Sequence, residues 1–333
     1  MTDDRSGTVS VVERTRPVAA DGAIVGTHFL GRTAVFVLGE EAMLFVAPDG
    51  EPRRVAIHDG AILATAADSK RIVSGGDDGK VVATNANGET RALATDAKHR
   101  WIDHVALGPA GAVAWSAGKT AFVQGKELRE LELPSTAGGL AFLPKGFRLA
   151  VAHYNGATLW FPNAAATAEK LEWKGSHLGV TVSPHGRFLV TTMQEPMLHG
   201  WRLADGKHMR MSGYATRVTS LAWTADGDWL ATSGASQLIL WPFQGKDGPM
   251  GKEPRVLAPS DRRITVVAAH PGQEIVAAGF DDGMVLLVRV ADGAEILARK
   301  PAAAPTTALG WSPDGQLLAF GTENGDAGVL DLS

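Results

Sequence analysis

Apolar residues along this chain come in short runs separated by small clusters of turn residues. A unit of apolar run, Pro/Asp/Gly turn, apolar run, Gly/Asp/Asn turn and apolar run recurs from one end to the other. Its clearest copies occupy residues 223–243, 269–290 and 311–332, with further copies at 66–85, 142–161 and 182–203 and two worn ones at 27–46 and 107–124. Runs too short for helices, bounded by residues that supply turn geometry, predict strands joined by hairpins. The first turn of each unit falls at Gly31, Lys70, Gly111, Gly146, Gly186, Gly227, Gly272 and Gly315, so the seven steps average about 41 residues. Between units lies a fourth, more charged segment, such as EPRRVAIH (51–58), KELRELEL (126–133) and AEILARK (294–300). Arg, Lys and Glu suit an outermost strand, whose open edge must face water without pairing with another chain.

Four strands in about 41 residues match a blade of a β-propeller, which runs to roughly 40–45 residues. The expected fold is all-β, a single propeller over residues 1–333 with eight four-stranded blades, seven being the alternative. The blades are placed near residues 22–58, 59–95, 99–134, 136–174, 177–213, 216–259, 262–301 and 305–332. The last unit supplies only three strands before Ser333. Residues 8–18, containing SVVERTRPV, have the outer-strand composition and are expected to complete the last blade and close the ring.

Composition supports this reading. The chain has 39 glycines in 333 residues, about 12% against a usual ~7%, which many tight turns would require. At 45% hydrophobic and 20% charged it can bury a core. Lys and Arg number 32 against 36 Asp and Glu, a net charge of −4, so the basic excess of a nucleic-acid binder is missing and no nucleic-acid partner is expected. With no cysteine, disulfides, thiolate metal sites and cysteine nucleophiles are excluded. The first residues, MTDDRSGTVS, begin no secretory signal, and no run approaches the ~18 apolar residues of a membrane span. A soluble, cytoplasmic protein without a membrane partner is expected.

Ser-Pro-Asp-Gly at 312–315, Thr-Ala-Asp-Gly at 224–227, Asp-Asp-Gly at 77–79 and 281–283, and Trp160, Trp201 and Trp241 late in the third strands resemble the WD40-repeat family over nearly the whole chain. The departures point to the degenerate prokaryotic form of that family. The Trp-Asp dipeptide is never present, since Phe161, Arg202 and Pro242 follow the three tryptophans. The Gly-His that precedes the first strand survives loosely, as Gly175-Ser176-His177 and His58-Asp59-Gly60. The resemblance implies a buried Asp/His/Ser/Trp hydrogen-bond network, which these departures would remove from most blades, and a scaffold that binds proteins through loops around the central channel.

Reactive chemistry is poorly represented. Ala117-Gly118-Lys119-Thr120 lacks the glycine five residues before Gly118 that a phosphate loop requires, and no Gly-x-Ser-x-Gly or His-Glu-x-x-His occurs. The Asp-Asp-Gly turns lack the alternating oxygen ligands of a calcium loop. His99 and His104, at an odd offset, point to opposite faces of a strand. The expected function is therefore a non-catalytic scaffold without cofactor or metal. The alternative is a propeller enzyme, or a metal or small-ligand binder, using the channel mouth.

Partner binding is expected on the fourth-to-first and second-to-third strand connections. They carry Arg100, Trp101, Tyr154, His177, Arg217, Asp261, Arg262, Arg263, Phe280 and Thr306. Most tryptophans recur at equivalent strand positions and read as packing between blades; Trp101, in His99-Arg100-Trp101, reads as an interface anchor. Arginines from three loops would suit an acidic or phosphorylated segment of a protein partner.

Overall fold

A computed structural model of the protein describes residues 9–333; position 8, the first of the expected closing segment, lies outside the described residues. Two compact units emerge, one made of residues 9–55 and 214–333, the other of residues 56–213. Both are built of sheets whose strands pair antiparallel, the short strand Val9–Ser10 excepted. Only two short 3-10 turns interrupt the strands, and no helix among the described residues is long and apolar enough to cross a membrane.

The first unit holds four sheets. Ile24–Leu30, Thr33–Leu38, Ala42–Val46 and Arg53–Ala56 follow one another in space as in sequence. So do Leu221–Trp223, Trp229–Thr232, Leu238–Pro242 and Arg255–Leu257. A third sheet runs Ile264–Ala269, Ile275–Phe280, Val285–Arg289, Glu295–Arg299. In the fourth, Thr306–Trp311, Leu317–Thr322 and Asp326–Asp331 are completed by Thr15–Ala19, which pairs antiparallel with Asp326–Asp331 from Thr15↔Leu330 to Ala19↔Asp326. An N-terminal strand thus closes the last sheet. Pro17, which has no N–H to give, sits on the outermost strand, where none is needed. Val18 enters the core formed by Ile24, Phe36, Leu38, Leu317 and Ala319, a burial worth about 1.5–3 kcal/mol.

The closing segment is not one strand as expected. Val9–Ser10 pairs in parallel with Glu295–Arg299 of the preceding sheet, a 3-10 turn at Val12–Arg14 redirects the chain, and only then does Thr15–Ala19 join the last sheet. The segment therefore straps two sheets together.

The second unit contains the four-stranded sheets Ile62–Ala67, Arg71–Gly76, Lys80–Asn85, Thr90–Thr95 and His104–Leu107, Val113–Ala117, Thr120–Gln124, Leu128–Glu132. Its third sheet has six strands: Gly139–Phe142, Leu149–Trp160, Glu169–Val182, Phe188–Met193, Leu198–Arg202 and His208–Met211. Hydrogen-bonded continuity thus gives seven sheets, the alternative blade number, where the sequence shows eight units. The difference arises in this six-stranded sheet, which carries two units. Leu149–Trp160 pairs through 149–152 with the first strand and through 156–159 with 169–172, while 177–182 of Glu169–Val182 serves the next unit. Asn155 (φ 67°) and Gly156 (φ 137°) make the break inside the long strand. A Cβ at Gly156 would strike the carbonyl of Leu171, so only glycine fits there.

Candidate functional site

Small hydrogen-bonded groups fix the starts of the first strands. His58 Nδ1 donates to Asp78 Oδ1 at 2.9 Å, and its Nε2 lies 2.8 Å from Ser74 Oγ, with His58 and Ser74 both buried. Burial would raise the Asp78 pKa, but the bond from His58 and the backbone N–H groups of Lys80 and Asp59 outweigh it and hold the carboxyl below its ordinary value. In the other unit Trp241 Nε1 donates to Tyr214 Oη at 2.7 Å, and Tyr214 Oη meets Thr232 Oγ1 at 2.9 Å. His177 pairs with Thr191 Oγ1 at 2.7 Å and with the Trp173 carbonyl at 3.0 Å, and His153 pairs with Thr158 Oγ1 at 2.8 Å. These are variants of the network that the family resemblance implied. Sequence reasoning flagged His58 and His177 as loose survivors of the Gly-His but missed the Tyr214 group. The signal was present as a Ser or Thr at equivalent second-strand positions: Ser74, Thr191 and Thr232.

His199 is a contrasting case. Its ring is fully buried and neither nitrogen has a hydrogen-bond partner. It stacks on Trp173 (4.1 Å, 15°) and His208 (5.4 Å, 22°), with Trp201 edge-on at 4.7 Å. Burial, helped by the positive potential of His177, His208 and Arg210, lowers its pKa to about 3.

Two residues expected on the binding loops of the second unit are prominently exposed. Trp101 is 62% exposed, the only exposed tryptophan of the nine, and Tyr154 is 57% exposed. The loop behind Trp101 is firmly held. Asp96 accepts from the backbone N–H groups of Lys98 and Arg100 and from the Arg100 guanidinium (Nη2 at 2.7 Å), while Arg100 Nη1 reaches the Ala117 carbonyl and Thr120 Oγ1 at 3.2 Å. The Arg100 bond, more than the backbone ones, brings Asp96 down to about 2. Ile102 is wholly buried, so the chain between a tethered Arg100 and a sunken Ile102 turns the intervening indole outward. Arg100 also lines a groove of about 420 Å³ with Lys98, Phe122, Leu128, Glu130 and Glu132.

In the first unit, Arg217, Asp261, Arg262 and Arg263 are exposed. Arg262 lies 3.9 Å from Asp261 and 3.8 Å from Asp282, and Arg263 3.9 Å from Asp281, so this loop is a mixed-charge cluster. Three expected positions fail. His177 is 1% exposed and Phe280 and Thr306 are 0% exposed. His177 is turned into its hydrogen-bond group. Phe280, last in its strand, packs with Ile264 and Met284. Among the described residues no three His, Asp or Glu side chains gather to hold a metal ion.

Comparisons agree with this geometry. Residues 260–333 match the family model of the anaphase-promoting complex subunit 4 WD40 domain, and residues 207–241 match that of the WD domain, G-beta repeat. A 120-residue stretch is 25% identical to a periodic tryptophan protein 2 homolog of Caenorhabditis elegans. In these stretches the chain is similar to the WD40-repeat family. The stretch shared with the periodic tryptophan protein 2 homolog is 35% of this chain and 13% of the relative, so the chain spans a small part of that protein. The crystal structure of the computationally designed Ika8 protein superposes with a TM-score of 0.76 at 18% identity, covering 94% of this chain and 97% of that one. The fold is therefore a single all-β propeller. WD40 propellers commonly serve as platforms for protein interaction.

Proposed function

We propose that this WD40-repeat propeller is a non-catalytic scaffold that holds a protein partner through its strand-connecting loops, with Trp101 as the aromatic anchor. The exposure of Trp101 carries the reading. Every other tryptophan is at least partly sunk into packing, whereas this one stands out on a loop fixed by Asp96, Arg100 and Ile102. A rigid exposed indole loses little freedom on binding and buries a large apolar face, the usual character of an interface hot spot. Tyr154 offers a second aromatic contact. Arg217, Arg262 and Arg263 would meet an acidic segment of the partner; the last two are held by their own acids only at 3.8–3.9 Å and can exchange them.

Affinity purification from the native host, followed by mass spectrometry, tests this with three baits. The wild-type protein should capture a defined partner, Trp101→Ala should lose it, and the combined Arg217→Ala, Arg262→Ala and Arg263→Ala variant should retain less of it. Undiminished capture by both variants would defeat the proposal.

A further inference from the structure

We infer that the pocket between the strand Thr15–Ala19 and the turn after Ala42–Val46 binds a phosphate group, taken either as free phosphate or as the phosphorylated side chain of a partner. Arg14, Arg16 and Arg32 line it over an apolar floor of Val46, Leu317 and Val329. Its volume is about 170 Å³. That is the space of about five or six waters at ~30 Å³ each, which suits a phosphate group of five heavy atoms and not a folded segment.

The three guanidiniums come from three different local structures: Arg14 ends the 3-10 turn, Arg16 lies on the closing strand, and Arg32 follows the turn at Gly31. Arg16 is already positioned, its Nη1 donating to the carbonyls of Ala47 at 2.8 Å and Pro48 at 2.7 Å, with Nη2 bound to Gly50. Its Nε has no acceptor among the described residues. Arg32 uses Nη1 on Asp314 (3.1 Å) and Gln316 (2.9 Å), which leaves Nε and Nη2 without a described acceptor. Arg14 donates its backbone N–H to the Val11 carbonyl at 3.0 Å, and its guanidinium has no acceptor among the described residues. The pocket therefore presents guanidinium N–H groups that the described fold does not use. Two carboxylates, Asp49 and Asp331, also line it, and neither lies within 4 Å of an arginine in an ion pair among the described residues. Arg32 and Arg14 both act on Asp331, whose carboxyl is lowered first by its bonds to Ser333 and then by these two charges, so their fields overlap at the pocket.

Three guanidiniums meet two lining carboxylates, and Asp314, paired with Arg32 at 3.1 Å, stands beside them, so the attraction rests on Arg14 and on the unused N–H groups of Arg16 and Arg32. A phosphate monoester brings a charge of about −1.5 to −2 and three acceptor oxygens, enough to engage several guanidiniums at once; a single carboxylate offers fewer acceptors and less charge. The pocket is built on the turns after first and third strands, whereas Trp101 and Arg262 lie on the connections into first strands, so it is independent of the scaffold reading.

The test uses the full chain at constant ionic strength. Inorganic phosphate, a phosphoserine peptide and the same peptide with glutamate are titrated by calorimetry against wild type, the Arg14→Gln/Arg32→Gln variant and Arg91→Gln, an exposed arginine of the outer strand Thr90–Thr95, with Arg16 spared because it holds a turn. We expect saturable binding of phosphate, of the phosphopeptide or of both. It should weaken at least tenfold in the double variant and be unchanged in Arg91→Gln, with ligand-free melting temperatures alike. Binding of both probes identifies free phosphate as sufficient, and binding of the phosphopeptide alone assigns the source to a partner. No saturable binding of either, equal binding by the double variant, or equal affinity for the glutamate peptide would overturn the inference. Partner capture through Trp101 is read separately, so the two proposals fail separately.

Discussion

His58 and His199 both lie buried in the second unit, and the protein handles them in opposite ways. His58 is satisfied on both nitrogens by Asp78 and Ser74. His199 has no hydrogen bond and is surrounded by rings, with its pKa held at about 3. A buried imidazole must either be hydrogen-bonded or give up its charge. The first solution depends on a partner and is broken by removing it. The second depends on pH.

Asp78→Ala should therefore have the largest effect. It strips His58 of its carboxylate and leaves a buried donor unmatched, which should cost about 3 kcal/mol, seen as a lower denaturant midpoint at pH 7. His58→Leu combined with Asp78→Ala should recover part of that loss, because both polar partners then leave together.

For His199 the effect appears only on acidification. Its folded pKa of about 3 lies below the ordinary imidazole value of 6.5, so above pH 6.5 the neutral ring is free of penalty in both states. As the pH falls from there towards 3, the unfolded chain takes up a proton that the folded chain refuses, and stability drains away. Between pH 7 and 4.5 this amounts to about 2–3 kcal/mol. His199→Phe should remove that share of the pH dependence while keeping the ring stack, and a wild-type slope in the variant would show that His199 is not the source.

Tyr214→Phe is a milder version of the Asp78 experiment in the other unit. Trp241 Nε1 and Thr232 Oγ1 lose their shared partner, although Thr232 keeps its bond to the Ile239 carbonyl at 3.1 Å. A loss of about 1–2 kcal/mol in a urea titration is expected.

The same two histidines mark how far the sequence could be read. Alternation and turn spacing disclosed the strands, because a side-chain period of two and a Gly or Asp at each hairpin are local properties. What depended on register was not disclosed. His177 and Phe280 were placed on the binding loops, yet a shift of one residue at a strand end sends a side chain to the other face, and both point inward. The Asn155-Gly156 break lies within a continuous run of paired residues, so units and sheets count differently. The split of residues 9–19 between two sheets depends on a 3-10 turn at Val12–Arg14 that has no marker stronger than its neighbours. Tyr214 was passed over because a tyrosine occupies a place where a histidine was sought. Trp101 could be singled out because it alone stood outside the repeated tryptophan positions.

Trp101 therefore supplies the smallest stability change and the sharpest contrast with the buried rings. It is 62% exposed, and the loop beneath it is held by Asp96, Arg100 and Ile102 without help from the indole. Trp101→Ala should alter the unfolding free energy by no more than about 0.5 kcal/mol, measured by chemical denaturation. A loss comparable with that of Asp78→Ala would mean that the indole packs against the propeller after all, and its exposure would no longer argue for a partner.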